Sequence, residues 1–216
     1  MSAPAPGRPR TPRARGFRRL AGIDRSGRAP VETRRGQPLR PFTLPNLIGY
    51  LRLASLPVFL VLAFESDDGR STTAALIYLW IALGDYLDGF LARATGQYSR
   101  MGALLDPVVD RLTVLAGAVV CWHFELLPRW ALLVLAAREI TMLVLGRLAL
   151  RRGIDIEINW VGRVGVFLIF AGIFWSLAID WWVTVALFLA GVVVAIAATW
   201  FYVRAGLRQL RALQPR

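Results

Sequence analysis

Residues 85–110 read DYLDGFLARATGQYSRMGALLDPVVD, placing four aspartates at fixed offsets inside a chain otherwise dominated by apolar runs. The pattern is D-x2-D-G-x2-A-R-x8-G-x3-D-x3-D: Asp85, Asp88, Gly89, Ala92, Arg93, Gly102, Asp106 and Asp110. An aspartate at the centre of a membrane helix costs roughly 2.5 to 3.5 kcal/mol on insertion scales. Four uncompensated ones would approach a domain's whole net stability, roughly 5 to 15 kcal/mol. Something must balance this charge, and divalent cations are the first candidates.

The membrane setting follows from composition. Of 216 residues 56% are hydrophobic and 8 are Trp, and the mean hydropathy is +0.51. A soluble domain of this size could hardly bury so much apolar surface, so the expected fold class is an all-α, multi-pass integral membrane protein. All 26 basic residues are arginine, and 11 of them fall in the first 40 residues, opposed only by Asp24 and Glu32. This Pro-, Gly- and Arg-rich leader, residues 1–40, has the composition of a disordered segment. It lacks the apolar stretch of a signal peptide, so no cleavage is expected.

Beyond Arg40 the hydropathy gives six spans of membrane-crossing length, near 45–64, 72–93, 101–123, 128–150, 160–179 and 181–203. They form a membrane domain over residues 41–204, followed by a basic tail, 205–216. An even number of spans puts both termini on one side, and the arginines say which. The leader, the Arg93 to Arg100 turn, the Arg151 and Arg152 loop and the tail share one face, which is therefore cytoplasmic. Trp122, Trp130, Trp181 and Trp182 fall at the opposite ends, where interfacial aromatics belong. Thr43, Pro45 and Asn46 make a helix start, and Phe42 to Leu47 is expected to lie along the interface before turning in. Lone Cys121 excludes an intramolecular disulfide and reads as a small buried apolar residue.

In this topology the second span descends to the cytoplasmic face and the third leaves from it. Asp85 and Asp88 are spaced i, i+3 and Asp106 and Asp110 i, i+4, so each pair presents its carboxylates on one helix face. Facing each other, they make a cluster of oxygen ligands suited to Mg²⁺ or Mn²⁺, with the charge of four aspartates balanced by two divalent ions. Two metals clamping a phosphoryl group is a known catalytic arrangement. Gly89, Ala92 and Gly102 leave room for a bulky ligand. Arg93, one turn beyond Gly89, is placed to pair with a phosphate. Metals, space and an anion partner together suggest a diphosphate substrate.

The Asp85 to Asp110 string resembles the signature of the CDP-alcohol phosphatidyltransferases at all eight defining positions. The resemblance covers about residues 42–203. It implies a six-helix membrane enzyme that moves a phosphatidyl group from CDP-diacylglycerol to an alcohol and releases CMP. It further implies that Asp85, Asp88 and Asp106 are metal ligands, that Asp110 is both ligand and general base, and that the enzyme is a homodimer. Gly89, Arg93 and Ser99 match positions that bind the donor head group, and Asn46 to Arg52 a nucleotide-contacting segment. The strings Thr43 to Arg52 (TLPNLIGYLR), Leu105 to Leu112 (LDPVVDRL) and Ala137 to Ile140 (AREI) look most like the phosphatidylglycerophosphate synthase branch and the actinobacterial-type cardiolipin synthases. Where many glycerophosphate enzymes carry a Lys-rich segment at the fifth helix, this chain has Trp160 to Gly165 with one basic residue, Arg163. Glycerol 3-phosphate is the expected acceptor, with phosphatidylglycerol second and inositol phosphate third.

Other readings compete. Buried aspartates balanced by arginines would be purely structural, but Arg93 and Arg111 cannot comfortably neutralise four carboxylates. A cation transporter could use an aspartate cluster as its ion site, but it would not require Gly89, Ala92, Arg93 and Gly102 in their places. Arg138, Arg147, Arg151 and Arg163 form a candidate pocket for an acceptor phosphate, against the alternative of an Arg138 to Glu139 pair with snorkelling neighbours. The leader fits a solvated tail or an anionic-lipid tether better than a nucleic-acid binder, since no recognition module accompanies it.

Overall fold

The computed structural model describes residue 33, residues 37–151 and residues 160–212, with side chains to residue 148 and from 160 to 204 in the latter two stretches. Six helices follow in order: α1 Leu44–Phe64, α2 Thr72–Thr95, α3 Arg100–His123, α4 Arg129–Arg151, α5 Trp160–Ala178 and α6 Trp182–Ala212. Among the described residues there is no strand. Most of the leader, the loop carrying Arg152 and residues 213–216 lie outside the described residues. Helix α6 runs on through Ala212, so its helix continues into the stretch read as a tail.

Four helices, α1, α2, α5 and α6, are long and apolar enough to cross a membrane. The expectation of six spans is therefore met as six helices, of which two are not apolar enough by composition. The reason is their charge: α3 carries Asp106, Asp110 and Arg111, and α4 carries Arg138, Glu139 and Arg147. The interfacial segment also differs from expectation. Thr43 Oγ1 accepts from the Asn46 backbone N–H, so α1 begins at Leu44 with Pro45 in its first turn, and no separate surface element intervenes.

Two kinds of packing hold the bundle. On one side, α5 and α6 approach nearly backbone to backbone: a Cβ on Gly172 would stand 2.7 Å from Phe188 Cα, and one on Gly191 2.7 Å from the Ile169 nitrogen. Small residues permit this closeness, which drives helix association where lipid removes the hydrophobic force. On the other side, α1, α2, α3 and α5 meet around buried Tyr78, whose ring lies 5.3 Å from Phe59 and 5.9 Å from Phe170. Cys121 is buried, 3.4 Å from Ser176 Oγ. At the end away from the aspartates, Arg70 pairs with Asp180 at 2.9 Å, and His123 packs edge-on against Phe64. Trp130, Trp181 and Trp182 are exposed there.

Candidate active site

The C-terminal part of α2 and the N-terminal part of α3 meet the first half of α1, and the cation between them is Arg52. Its Nε donates to the Ile81 carbonyl at 2.8 Å, Nη1 to Asp88 at 3.0 Å and Nη2 to Asp110 at 2.6 Å. Asp85 stands 3.7 Å from Nη1. The side chain is 1% exposed, while those of Asp85 and Asp110 are 49% and 43% exposed. A guanidinium sits this deep only when paired and hydrogen-bonded, and its planar fork suits two carboxylates on different helices. Gly84 makes the seat: a Cβ there would lie 2.5 Å from Arg52 Cδ. Deleting one partner of such a buried set typically costs about 3 to 5 kcal/mol.

A second polar network closes the aspartate end of the same three helices. Ser99 caps α3, its Oγ accepting from the Gly102 N–H at 2.9 Å and donating to Asn46 Oδ1 at 2.8 Å. The Asn46 amide donates in turn to the Arg40 and Pro41 carbonyls, each at 3.0 Å. The Met101 N–H donates to the Leu39 carbonyl at 3.1 Å, and Leu44 N–H to Gln97 at 3.2 Å. The chain before α1 is thereby fixed to the α2–α3 turn, where Gly96 ends α2 at φ 70°.

Between these networks lies a cavity of about 170 Å³, lined among others by Asn46, Asp88, Gly89, Ala92, Arg93, Ser99, Gly102 and Asp106. Most sequence-predicted donor residues thus share one cavity, with two of the aspartates in its wall. Arg52 is not among the residues that line it and meets the carboxylates of Asp88 and Asp110 directly. The glycines also differ from expectation in detail. The space beside Gly102 is taken by Asn46, 2.8 Å from where a Cβ would stand, and that beside Gly89 faces the Arg93 guanidinium at 3.2 Å.

The acceptor arginines are not gathered at this cavity. Arg138 is bonded to Glu139, with Nε 3.3 Å from Thr199 Oγ1, which is the pairing weighed as the alternative. Arg147 and Arg163 are exposed on α4 and α5. The Arg151 side chain lies outside the described residues.

By donor type and charge the carboxylates fit hard divalent cations. They offer oxygen ligands only, and a cationic group already stands between Asp88 and Asp110, so this space takes positive charge. Four carboxylates outnumber the guanidiniums of Arg52, Arg93 and Arg111 around them, which leaves net negative charge to balance. With Arg52 in place, no three carboxylate, histidine or cysteine side chains converge into a metal-holding group among the described residues.

An apolar all-helical bundle with a cavity edged by two carboxylates at one end defines the class of protein: a helical membrane protein with a buried ionic site. Comparison with known proteins gives the family. A model described as CDP-alcohol phosphatidyltransferase matches residues 42–199, from before α1 to well into α6. The chain is 39% identical over 144 residues to "Cardiolipin synthase (CMP-forming)" of Streptomyces coelicolor, covering 65% of this chain and 67% of that one. It is 34% identical over 131 residues to a "Putative cardiolipin synthase" of Mycobacterium tuberculosis, covering 59% and 61%. It is 27% identical over 135 residues to the "CDP-diacylglycerol--glycerol-3-phosphate 3-phosphatidyltransferase" of Bacillus subtilis, covering 57% and 70%. The matched part thus spans about two thirds of the length of these relatives. The chain belongs to the CDP-alcohol phosphatidyltransferase family.

Proposed function

We propose that this chain transfers a phosphatidyl group from CDP-diacylglycerol to an alcohol and releases CMP. The observation that supports it best is two carboxylate pairs on facing helices beside one cavity edged by Arg93. In this reading all six helices cross the cell membrane, with both termini and the site on the cytoplasmic side, and the enzyme works as a homodimer. Asp106, Asp110, Arg138 and Glu139 then face the bundle, while exposed Arg147 lies near the cytoplasmic end of α4.

Asp85, Asp88, Asp106 and Asp110 would hold two Mg²⁺, or Mn²⁺, which when bound supply positive charge for the donor's diphosphate. The cavity residues Asn46, Gly89, Ala92, Arg93, Ser99 and Gly102 receive the donor head group, Arg93 as anion partner. The acceptor's hydroxyl oxygen forms a bond to the diacylglycerol-bearing phosphorus as the bond from that phosphorus to CMP breaks. Asp110 takes the hydroxyl proton on the carboxylate oxygen that Arg52 does not hold.

We infer that the acceptor is phosphatidylglycerol, giving cardiolipin, rather than the glycerol 3-phosphate expected from sequence. Identity to the Streptomyces cardiolipin synthase is 39%, against 33% to the glycerol-3-phosphate enzyme of Salmonella typhimurium. The single arginine at the start of α5 points the same way. Glycerol 3-phosphate stays as the second reading, and Arg138, Arg147, Arg151 and Arg163 as candidate contacts to the phosphate that either acceptor carries.

Purified protein incubated with CDP-diacylglycerol and each acceptor, with Mg²⁺ or with excess EDTA, tests this. The expected result is CMP and cardiolipin from phosphatidylglycerol, abolished by EDTA. Product from glycerol 3-phosphate alone would reverse the acceptor, full activity in EDTA would remove the metals, and no CMP from any acceptor would favour a transporter.

A further inference from the structure

We propose that Arg52 is the resident cation of the aspartate cluster: a positioning residue that holds Asp88 of α2 and Asp110 of α3 in one arrangement whether or not other cations are bound. The functional part of this inference rests on the reading above; the electrostatic part does not. Three observations carry it. Arg52 is fully buried and reaches partners 29, 36 and 58 residues away in sequence, so it joins three helices at one point. It is anchored independently of the carboxylates, through Nε to the Ile81 carbonyl and by the gap that Gly84 leaves. Its side chain is 1% exposed and is not among the residues that line the cavity.

Its chemistry suits the task. A guanidinium cannot lose its proton in a protein and presents its donors in a fixed fork, so it offsets part of the repulsion among the carboxylates at any working pH. The fork also sets the distance between Asp88 and Asp110. By holding one oxygen of Asp110, it leaves the other for proton transfer in the proposed reaction. Its permanent positive charge would add to that of two divalent ions held by the aspartates, which favours an incoming diphosphate.

The experiment uses full-length enzyme in detergent, with unfolding temperature read in EDTA and in saturating Mg²⁺. Arg52→Gln is expected to lower the unfolding temperature strongly in EDTA, and Arg52→Lys much less. Adding Asp88→Asn to Arg52→Gln is expected to cost nothing further, because it removes one of the two carboxylates that Arg52→Gln leaves unpaired. Mg²⁺ is expected to recover part of the Arg52→Gln loss. Additive losses from Arg52→Gln and Asp88→Asn, or an Arg52→Gln protein as stable as the parent in EDTA, would overturn the proposal.

Turnover separates positioning from substrate contact. Arg52→Lys is expected to lower kcat between about tenfold and about 10²-fold, as small misplacements of catalytic groups do, with the KM for CDP-diacylglycerol unchanged. Gly84→Ala, which keeps every charge but crowds Arg52, is expected to do the same. A raised KM with kcat preserved in both variants would make Arg52 a donor contact and overturn the proposal. If Arg52→Gln does not fold, these two variants decide. Wild-type unfolding and turnover that both ignore EDTA would defeat the metal reading alone, since the Arg52 and Asp88 cycle is run without metal.

Discussion

Two sets of glycines in this bundle look alike in sequence and serve opposite ends. In the α1–α3 half, Gly84 and Gly102 vacate space that polar side chains occupy: the Arg52 stem beside the first, the Asn46 amide beside the second. In the α5–α6 half, Gly172 and Gly191 vacate space that backbone occupies, Phe188 and Ile169 of the partner helix. The first half is stabilised by directional bonds to a buried cation, the second by contact area between helices. A small residue on a membrane helix therefore marks close approach, and only the neighbour decides whether the approach is chemical or structural.

The largest expected effect separates chemistry from packing. Asp110→Asn should lower CMP release by at least about 10²-fold, while thermal unfolding shows a folded protein, because Arg52 keeps Asp88 and the Ile81 carbonyl. Near-normal turnover would take Asp110 out of the proton transfer. Next, Gly172→Val should lower stability by about 1 to 3 kcal/mol through overpacking, and leave the KM for CDP-diacylglycerol in the folded fraction unchanged. An altered KM would mean the two halves are coupled more tightly than their packing suggests.

A smaller effect is expected at the far end of the bundle. Arg70→Gln breaks the pair with Asp180, whose side chain is 85% exposed, so the loss should be at most about 1 kcal/mol, read as a small shift in unfolding temperature. A loss as large as that of Arg52→Gln would show that depth in the bundle does not govern these ion pairs. The smallest effect concerns the leader. Removing residues 1–32 should leave turnover in detergent unchanged while weakening salt-sensitive binding to anionic vesicles. Extending the cut through Pro41 should reduce turnover, because the carbonyls of Leu39, Arg40 and Pro41 hold Met101 and Asn46.

Much of this arrangement is legible in the sequence. The six apolar periods match the helices to within a residue or two at most ends, since span length and caps such as Thr43, Ser71 and Ser99 act locally. The facing of Asp85 and Asp88 toward the third helix follows from helical spacing and a short turn. Arg52 did not announce its partners, because they lie on other helices. Its signal was present all the same: an arginine flanked by Leu51 and Leu53, midway along an apolar run, requires a buried anion. The Asn46 network was hidden for a similar reason, being assembled from a cap, a turn and carbonyls preceding the helix. The candidate acceptor arginines share only their place along α4, α5 and the connection between them, and proximity along two helices does not fix which way a side chain turns.

The bridge from Arg52 also bears on how such a chain is made. Arg52 emerges 36 residues before Asp88 and 58 before Asp110, and at roughly 5 to 20 residues per second of synthesis the arginine waits for seconds without a counter-ion. During that interval the first helix carries a bare charge near its middle. The expected outcome is that it settles in the bilayer only once the third helix has arrived, the three leaving the insertion machinery together. Mapping the depth of nascent chains stopped after residue 70 and after residue 150 would reveal it: a first helix equally deep in both would show that it inserts alone.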